Sequence, residues 1–299
     1  MHVRRTIAMV NGNDLDKLKA AIDSEADAVM LELEDLVPFD QKEEARADAV
    51  MALTQWDFRG KDKIVRINAP DTELGQKDLK AILPCRPDAI RLPKCESVEY
   101  IQAVDRQIRS YEEQAGWPVG SIELILVIET PLGIMRCLEL CTCSRRITGV
   151  GLGAYDLTSA MGVPRDLTPG SLQLLYAKQQ MIMAGKVAGL DIFDTMVICP
   201  PEQVTAMDKI VEEDTKQMKL WGFTGKSVTM LSQIPIINKV FEPDPKAVLH
   251  ARKVLAGYDA AMKRGEKEIF VDGQFVDPPV LTAARNLVAM ADEIERKKK

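Results

Sequence analysis

The 299-residue chain contains two histidines, His2 and His250. A Ser-His or Cys-His catalytic machine needs a well-placed imidazole. One histidine sits at the second residue and the other in a late helical stretch, so neither suits that role. The same scarcity argues against zinc sites built on histidine. Cysteine offers little more. Cys85, Cys95, Cys137, Cys141, Cys143 and Cys199 include no CxxC pair, and the cluster CLELCTC has no answering cluster. These cysteines read as small apolar residues in a reducing compartment. No apolar run reaches the roughly 18 residues a bilayer span requires. The opening MHVRRTIAMVNGNDLDK has too short an apolar stretch for a signal peptide, so a cytoplasmic protein is expected. A basic excess is also missing: 39 Lys+Arg stand against 45 Asp+Glu, a net charge of −6, which argues against a nucleic-acid partner. Catalysis, if present, rests on carboxylates, lysine, arginine and a metal.

What the chain does have is a rhythm. Short apolar runs rich in β-branched residues recur as TIAMV (6–10), AVMLELED (28–35), KIVRIN (63–68), DAIRLPK (88–94), IELILVIET (122–130), ITGVGLG (147–153), LDIFDTMVI (190–198) and KSVTML (226–231). Amphipathic stretches lie between them. In SVEYIQAVDRQIRSYEEQAG, residues Val98, Ile101, Val104, Ile108 and Tyr111 recur at helical spacing. Buried strands alternating with amphipathic helices predict a parallel sheet covered by helices. Eight such units predict an α/β fold of the (β/α)₈ TIM-barrel type. A doubly wound open sheet is second, because VNGND lacks the glycine-rich phosphate turn. The barrel is expected over residues 1–240. A C-terminal helical extension and lid are expected over 241–299, the KKK end being a solvated fray.

In such a barrel the chemistry sits at the C-terminal strand ends. These ends carry Glu32, Glu34, Asp35, Arg66, Asn68, Lys94, Glu129, Asp156, Asp191 and Asp194. Glu129 and Asp156 follow adjacent strands, and two carboxylates that close repel unless a cation or a shared proton intervenes. Either they hold a hard divalent cation such as Mg²⁺, or each caps a helix or pairs with an arginine. Arg66 suits bidentate capture of a substrate carboxylate, or else an ion pair with Glu34 or Asp35. Lys94 is either a Schiff-base lysine or a supporting cation. Gly151 and Gly153 allow the backbone close to an anion.

Six collinear segments, LELEDLVPFDQKEEAR, VRINAPDTELGQKDL, IRLPKCES, IETPLGI, GLGAYDLTSAMG and GFTGK, resemble the citrate lyase β subunit, malyl-CoA lyase and HpcH/HpaI aldolase superfamily. The resemblance implies a Mg²⁺ enzyme, with Mn²⁺ as the alternative ion, that cleaves a carbon–carbon bond in a β-hydroxy acyl thioester. It implies Glu129 and Asp156 as metal ligands. It implies Arg66, Glu34 and Asp35 as catalytic residues, and Lys42 and Arg46 as a brace. Arg66, Lys94, Gly133, Gly153, Ala154 and Tyr155 are the substrate-contacting residues it implies. It also implies that Asp277, in VDGQFVDPP, belongs to a lid reaching a neighbouring subunit's site in a homotrimer. Citrate lyase α and ACP subunits are implied partners, and CoA or ACP is the implied acyl carrier. Departures from the family pattern lie at Asn11, where the family has proline, at Met230 and Leu231 after strand eight, and at Phe275 in the lid. The expected reaction converts citryl-ACP or citryl-CoA to oxaloacetate and an acetyl thioester. A malyl-CoA or citramalyl-CoA lyase, a free-acid pyruvate or oxaloacetate aldolase, a Schiff-base aldolase at Lys94 and a non-enzymatic scaffold are the alternatives.

Overall fold

The apolar runs become strands because each buries β-branched side chains on both faces. The computed structural model describes residues 3–198, 205–265 and 269–297. Its strands are β1 (Thr6–Asn11), β2 (Ala28–Glu32), β3 (Asp62–Arg66), β4 (Ala89–Leu92), β5 (Glu123–Ile128), β6 (Ile147–Leu152), β7 (Asp191–Asp194) and β8 (Gly225–Val228). They close a parallel barrel in chain order. β1 pairs with both β2 and β8, which excludes an open sheet. The expected (β/α)₈ architecture is therefore the observed one.

Helices α1 (Leu15–Asp23), α2 (Lys42–Gln55), α3 (Glu73–Ile82), α4 (Val98–Gln114), α5 (Pro131–Met135), α6 (Cys137–Thr142), α7 (Ala154–Ala160), α8 (Leu175–Ala188), α9 (Met207–Trp221) and α10 (Ile234–Phe241) follow the strands. Local chemistry sets several starts. Asp14, Thr72, Ser97 and Thr130 each accept a backbone N–H of the first turn, and Pro131 follows its cap at the first helical position. Helix α4 buries Ile101, Val104 and Ile108, as the spacing predicted. Cys137 and Cys141 are buried thiols of α6 with sulfurs 3.9 Å apart, a packing role. Cys199 and His2 lie outside the described residues.

Side-chain alternation positions the functional end. Ile7, Met9, Ala28, Met30, Ile64, Ala89, Ile125 and Phe193 fill the barrel interior. Inward residues recur every second position along a strand. Two residues beyond Met30, Ile64, Ala89 and Ile125 come Glu32, Arg66, Arg91 and Val127, so these form the next layer toward the C-terminal end. The opposite end is locked by the fully buried Arg4, whose guanidinium meets Asp62 and Glu123 at 2.7 Å each.

The barrel unit runs from Arg4 to Val240, and the segment from Phe241 onward makes a second compact unit with Val3. In the second unit, α11 (Pro245–Lys263) packs against α12 (Pro278–Lys297). Between them, β9 (Phe270–Val271) and β10 (Gln274–Phe275) form a hairpin. Its turn places Asp272 and Gly273 both at positive φ, 49° and 80°, the geometry that favours an Asp-Gly pair. Ala284, Leu287 and Val288, on the apolar stripe of α12, belong to a core with Val254 and Ala261 of α11. The chain covers this stripe locally, because two amphipathic helices joined by a short hairpin bury each other's apolar faces. Lys297 donates to the Val3 carbonyl at 2.9 Å, so this member of the KKK end is tethered rather than frayed.

Candidate active site

The C-terminal mouth of the barrel holds a cavity of about 310 Å³. Arg66, Arg91, Glu129, Asp156, Ser227 and Met9 line it, with Asp35, Gly153, Ala154 and Tyr155. Glu129 follows β5 and is 1% exposed. Its Oε1 accepts the Lys94 backbone N–H at 2.6 Å, while Oε2 is buried without a hydrogen-bond partner. Asp156 lies in the first turn of α7, after β6. No lysine or arginine is ion-paired with Glu129 or Asp156 among the described residues, and Thr130, not Glu129, caps the following helix. Burial first, then the Glu34 and Asp156 carboxylates, push the Glu129 carboxyl up to about 8.

Gly153 makes this arrangement sterically feasible. A Cβ there would lie 2.3 Å from Glu129 Oε2 and 2.4 Å from its Cβ. Two crowded carboxyl groups, one of which keeps its proton up to about pH 8, fit a hard cation that takes the place of that proton and fills its other positions with water and substrate oxygens. No cluster of three or more potential metal-ligating side chains occurs among the described residues, so two protein carboxylates would be the donor set.

Arg66 closes β3 directly across from Glu32, its in-register partner on β2. Its Nε donates to Glu32, and its Nη2 lies 3.2 Å from Glu34 Oε2. Of the partners considered from sequence, Glu34 is present and Asp35 is not. The main partner is Glu32, because strand parity turns it inward beside Arg66. Burial opposes the guanidinium's charge, but Glu32 and Glu34 outweigh that and hold it firmly protonated. Glu34 is driven up to about 7, by burial first, against the pull of Arg66.

The loop after β2 is braced from below. Lys42 Nζ donates to the Leu33 and Glu34 carbonyls at 2.8 and 2.7 Å. Arg46 meets Asp78 at 2.6 Å, and Asp78 in turn accepts from the Asn68 backbone and side chain. Asn11, at one departure from the family pattern, donates to the Leu36 carbonyl at 2.9 Å.

Lys94 adopts a positive φ of 53°, a strained conformation for a side-chain-bearing residue, and this aims its N–H at Glu129. Its ammonium lies 3.4 Å from Glu34 and 3.9 Å from Asp35. Burial lowers its pKa, but those carboxylates outweigh it and raise the net value, the opposite of what a Schiff-base lysine needs. Gly133 lies in the first turn of α5, its N–H on Thr130 and its Cα against the Cys95 carbonyl, away from the cavity lining. Asp277 belongs to the second unit, where its Oδ1 accepts the Val280 N–H at 2.9 Å and caps α12.

Arg91 and Ser227 were not read from the sequence as site residues. Arg91, in the middle of IRLPK, reaches the cavity and donates to Ser227 at 2.8 Å. Burial, then the neighbouring Arg66, lower it to about 10, so it stays charged at neutral pH. Strand parity with Ala89 was the signal that could have found it.

A barrel mouth carrying a carboxyl pair without a basic partner, a clamped arginine and a second buried arginine has the concentrated charge of an enzyme active site. The model of the HpcH/HpaI aldolase/citrate lyase family matches residues 5–230. The chain is 33% identical to the citrate lyase subunit beta of Leuconostoc mesenteroides subsp. cremoris, covering 97% of this chain and 94% of that one. It is 28% identical to the mitochondrial citramalyl-CoA lyase of Homo sapiens, over 98% of this chain and 87% of that one. Among solved structures, the protein CitE from Mycobacterium tuberculosis in complex with magnesium, acetoacetate and coenzyme A is 25% identical with a TM-score of 0.68, covering 97% of this chain and 99% of that one. The chain belongs to the HpcH/HpaI aldolase/citrate lyase family. It is an enzyme of the lyase class.

Proposed function

We propose that this chain is a Mg²⁺-dependent carbon–carbon lyase that cleaves a citryl thioester, carried on ACP or CoA, into oxaloacetate and an acetyl thioester. The observation that carries the reading is the unpaired Glu129–Asp156 carboxylate pair beside Arg66. Glu129 and Asp156 hold the cation, with Mn²⁺ as a substitute. Mg²⁺ bound there supplies Lewis-acid stabilisation of the α-hydroxy carboxylate and the forming keto acid. Glu34 and Asp35 provide the carboxylate base that removes the hydroxyl proton. The electrons of the breaking bond pass to the thioester, forming its enolate. Arg66, held by Glu32 and Glu34, offsets the developing oxyanion charge. Gly153, Ala154 and Tyr155 form the wall against which the substrate lies; Lys94, beside Glu34 and Asp35, assists substrate binding, and Gly133 supports the loop.

The test is keto-acid release from citryl, citramalyl and malyl thioesters on both carriers, beside the free acids. Citryl thioester turnover that needs a divalent cation supports the reading. Release without a divalent cation, or from free acids only, overturns it. Borohydride with substrate should trap no Lys94 adduct.

The enzyme acts in the cytoplasm as a homotrimer, alone or with citrate lyase α and ACP subunits. Asp277 returns the proton to the enolate carbon in a neighbouring subunit. Support comes from the hairpin preceding it, where Phe270 and Phe275 are 60% and 50% exposed, an apolar pair suited to cover by another subunit. Mixing inactive Asp277→Ala with inactive Glu129→Ala under subunit exchange should restore sites that combine an intact barrel with an intact neighbouring lid. No recovery despite demonstrated exchange would contradict a role in trans.

A pH dependence follows from the buried carboxyls. Glu129 rises from 4.5 to about 8 and Glu34 from 4.5 to about 7 on folding. The folded chain therefore holds protons that the unfolded chain has released, and its stability falls as pH rises through this window. Without divalent cations, Tm should decline between pH 5 and 8, a window of roughly those bounds. Mg²⁺ affinity should strengthen with pH up to about 8, by up to about tenfold per unit, because the ligand must lose its proton. A flat Tm and pH-independent Mg²⁺ affinity would contradict buried protonated carboxyls.

A further inference from the structure

The mechanism leaves Arg91 without a task. The residue is 4% exposed, yet it forms part of the cavity wall. Nη1 donates to Ser227 at 2.8 Å, Nε has no hydrogen-bond partner, and Nη2 lies against Gly151, where a Cβ would come within 2.7 Å. Arg66 has Glu32 and Glu34, whereas Arg91 is ion-paired with no carboxylate among the described residues. A buried guanidinium without a counter-ion is costly, and an apolar residue would fill the barrel wall more cheaply. Glycine opposite it, where β6 could carry a side chain, keeps that space open.

We propose that Arg91 is a substrate-binding residue that takes a second carboxylate on the keto-acid half of the substrate; this rests on the lyase reading above. The carbinol carbon of the substrate bears the hydroxyl, its own carboxylate, the thioester arm that leaves, and one further group. In a citryl unit that group is a carboxymethyl; in a citramalyl unit it is a methyl, and in a malyl unit a hydrogen. The carboxymethyl gives Arg91 its counter-ion. A methyl or hydrogen leaves the guanidinium buried and unpaired, which a site built for a polar contact rejects strongly. Arg91 thereby sets specificity for dicarboxylate keto acids over monocarboxylate ones.

Binding and turnover are measured in parallel. Calorimetry in the presence of Mg²⁺ compares oxaloacetate with pyruvate, and kcat/KM compares citryl with citramalyl thioester. The wild type should favour the dicarboxylate member of each pair by about a hundredfold or more. Arg91→Met should bring both preferences to within a few-fold, while the substrate-free Tm holds or rises and the Tm gain from oxaloacetate is lost. Arg91→Lys keeps the charge, and should retain a preference for oxaloacetate at reduced affinity; it also serves if the Met variant does not fold. Unchanged preferences in Arg91→Met overturn the assignment, as does a wild type that binds both keto acids equally. Equal loss of preference in the Lys and Met variants overturns it too. Failure of the wild type to cleave any thioester overturns the lyase reading instead.

Discussion

The substitution Gly153→Ala is expected to lower kcat/KM by at least about a hundredfold, although it adds one methyl group. The added carbon would stand 2.3 Å from Glu129 Oε2, so the carboxylate must swing away. Glu129 has little room to do so, being 1% exposed and tied through Oε1 to the Lys94 backbone. The loss should appear first as weakened Mg²⁺ binding in a direct titration, with the barrel's circular-dichroism spectrum retained. A Gly153→Ala enzyme with wild-type Mg²⁺ affinity would show that Glu129 does not need its observed position.

Glu129→Gln is expected to cost more, about a thousandfold or greater, because the amide keeps the shape and removes the charge that holds the cation. The same change should stabilise the metal-free protein at pH 8. The wild-type carboxyl, pushed up to about 8, is by then losing its proton in a buried site beside the Glu34 and Asp156 carboxylates. Loss of activity joined to a raised Tm is the signature of a group placed for function at a cost in stability. A variant that is both active and less stable would mark Glu129 as structural.

The fold was legible because eight buried strands leave continuous apolar runs, and because their alternation with amphipathic helices permits few topologies. Glu129, Asp156 and Arg66 were legible because a charge at the end of such a run has nowhere dry to go. Glu32 and Arg91 were harder. Each sits inside or at the edge of a strand, where a single charge resembles a solvent-facing position. Only the register that sets Glu32 against Arg66, and the parity that turns Arg91 inward with Ala89, shows where they point. The cover of the last helix was not legible for another reason. An apolar stripe announces that it will be covered, but not by what, and α11 of the same unit covers it. Gly153 was marked as permissive backbone, yet its steric reason, the Glu129 carboxylate pressed against it, exists only after β5 and β6 pair.

The most direct test of the central claim is a crystal structure of the protein soaked with Mg²⁺ and oxaloacetate. The account predicts one cation bound by a carboxylate oxygen each from Glu129 and Asp156, at about 2.0–2.1 Å, its remaining positions filled by water and the keto acid. A cation held by other residues, or oxaloacetate bound at the mouth with no cation between those two carboxylates, would contradict it.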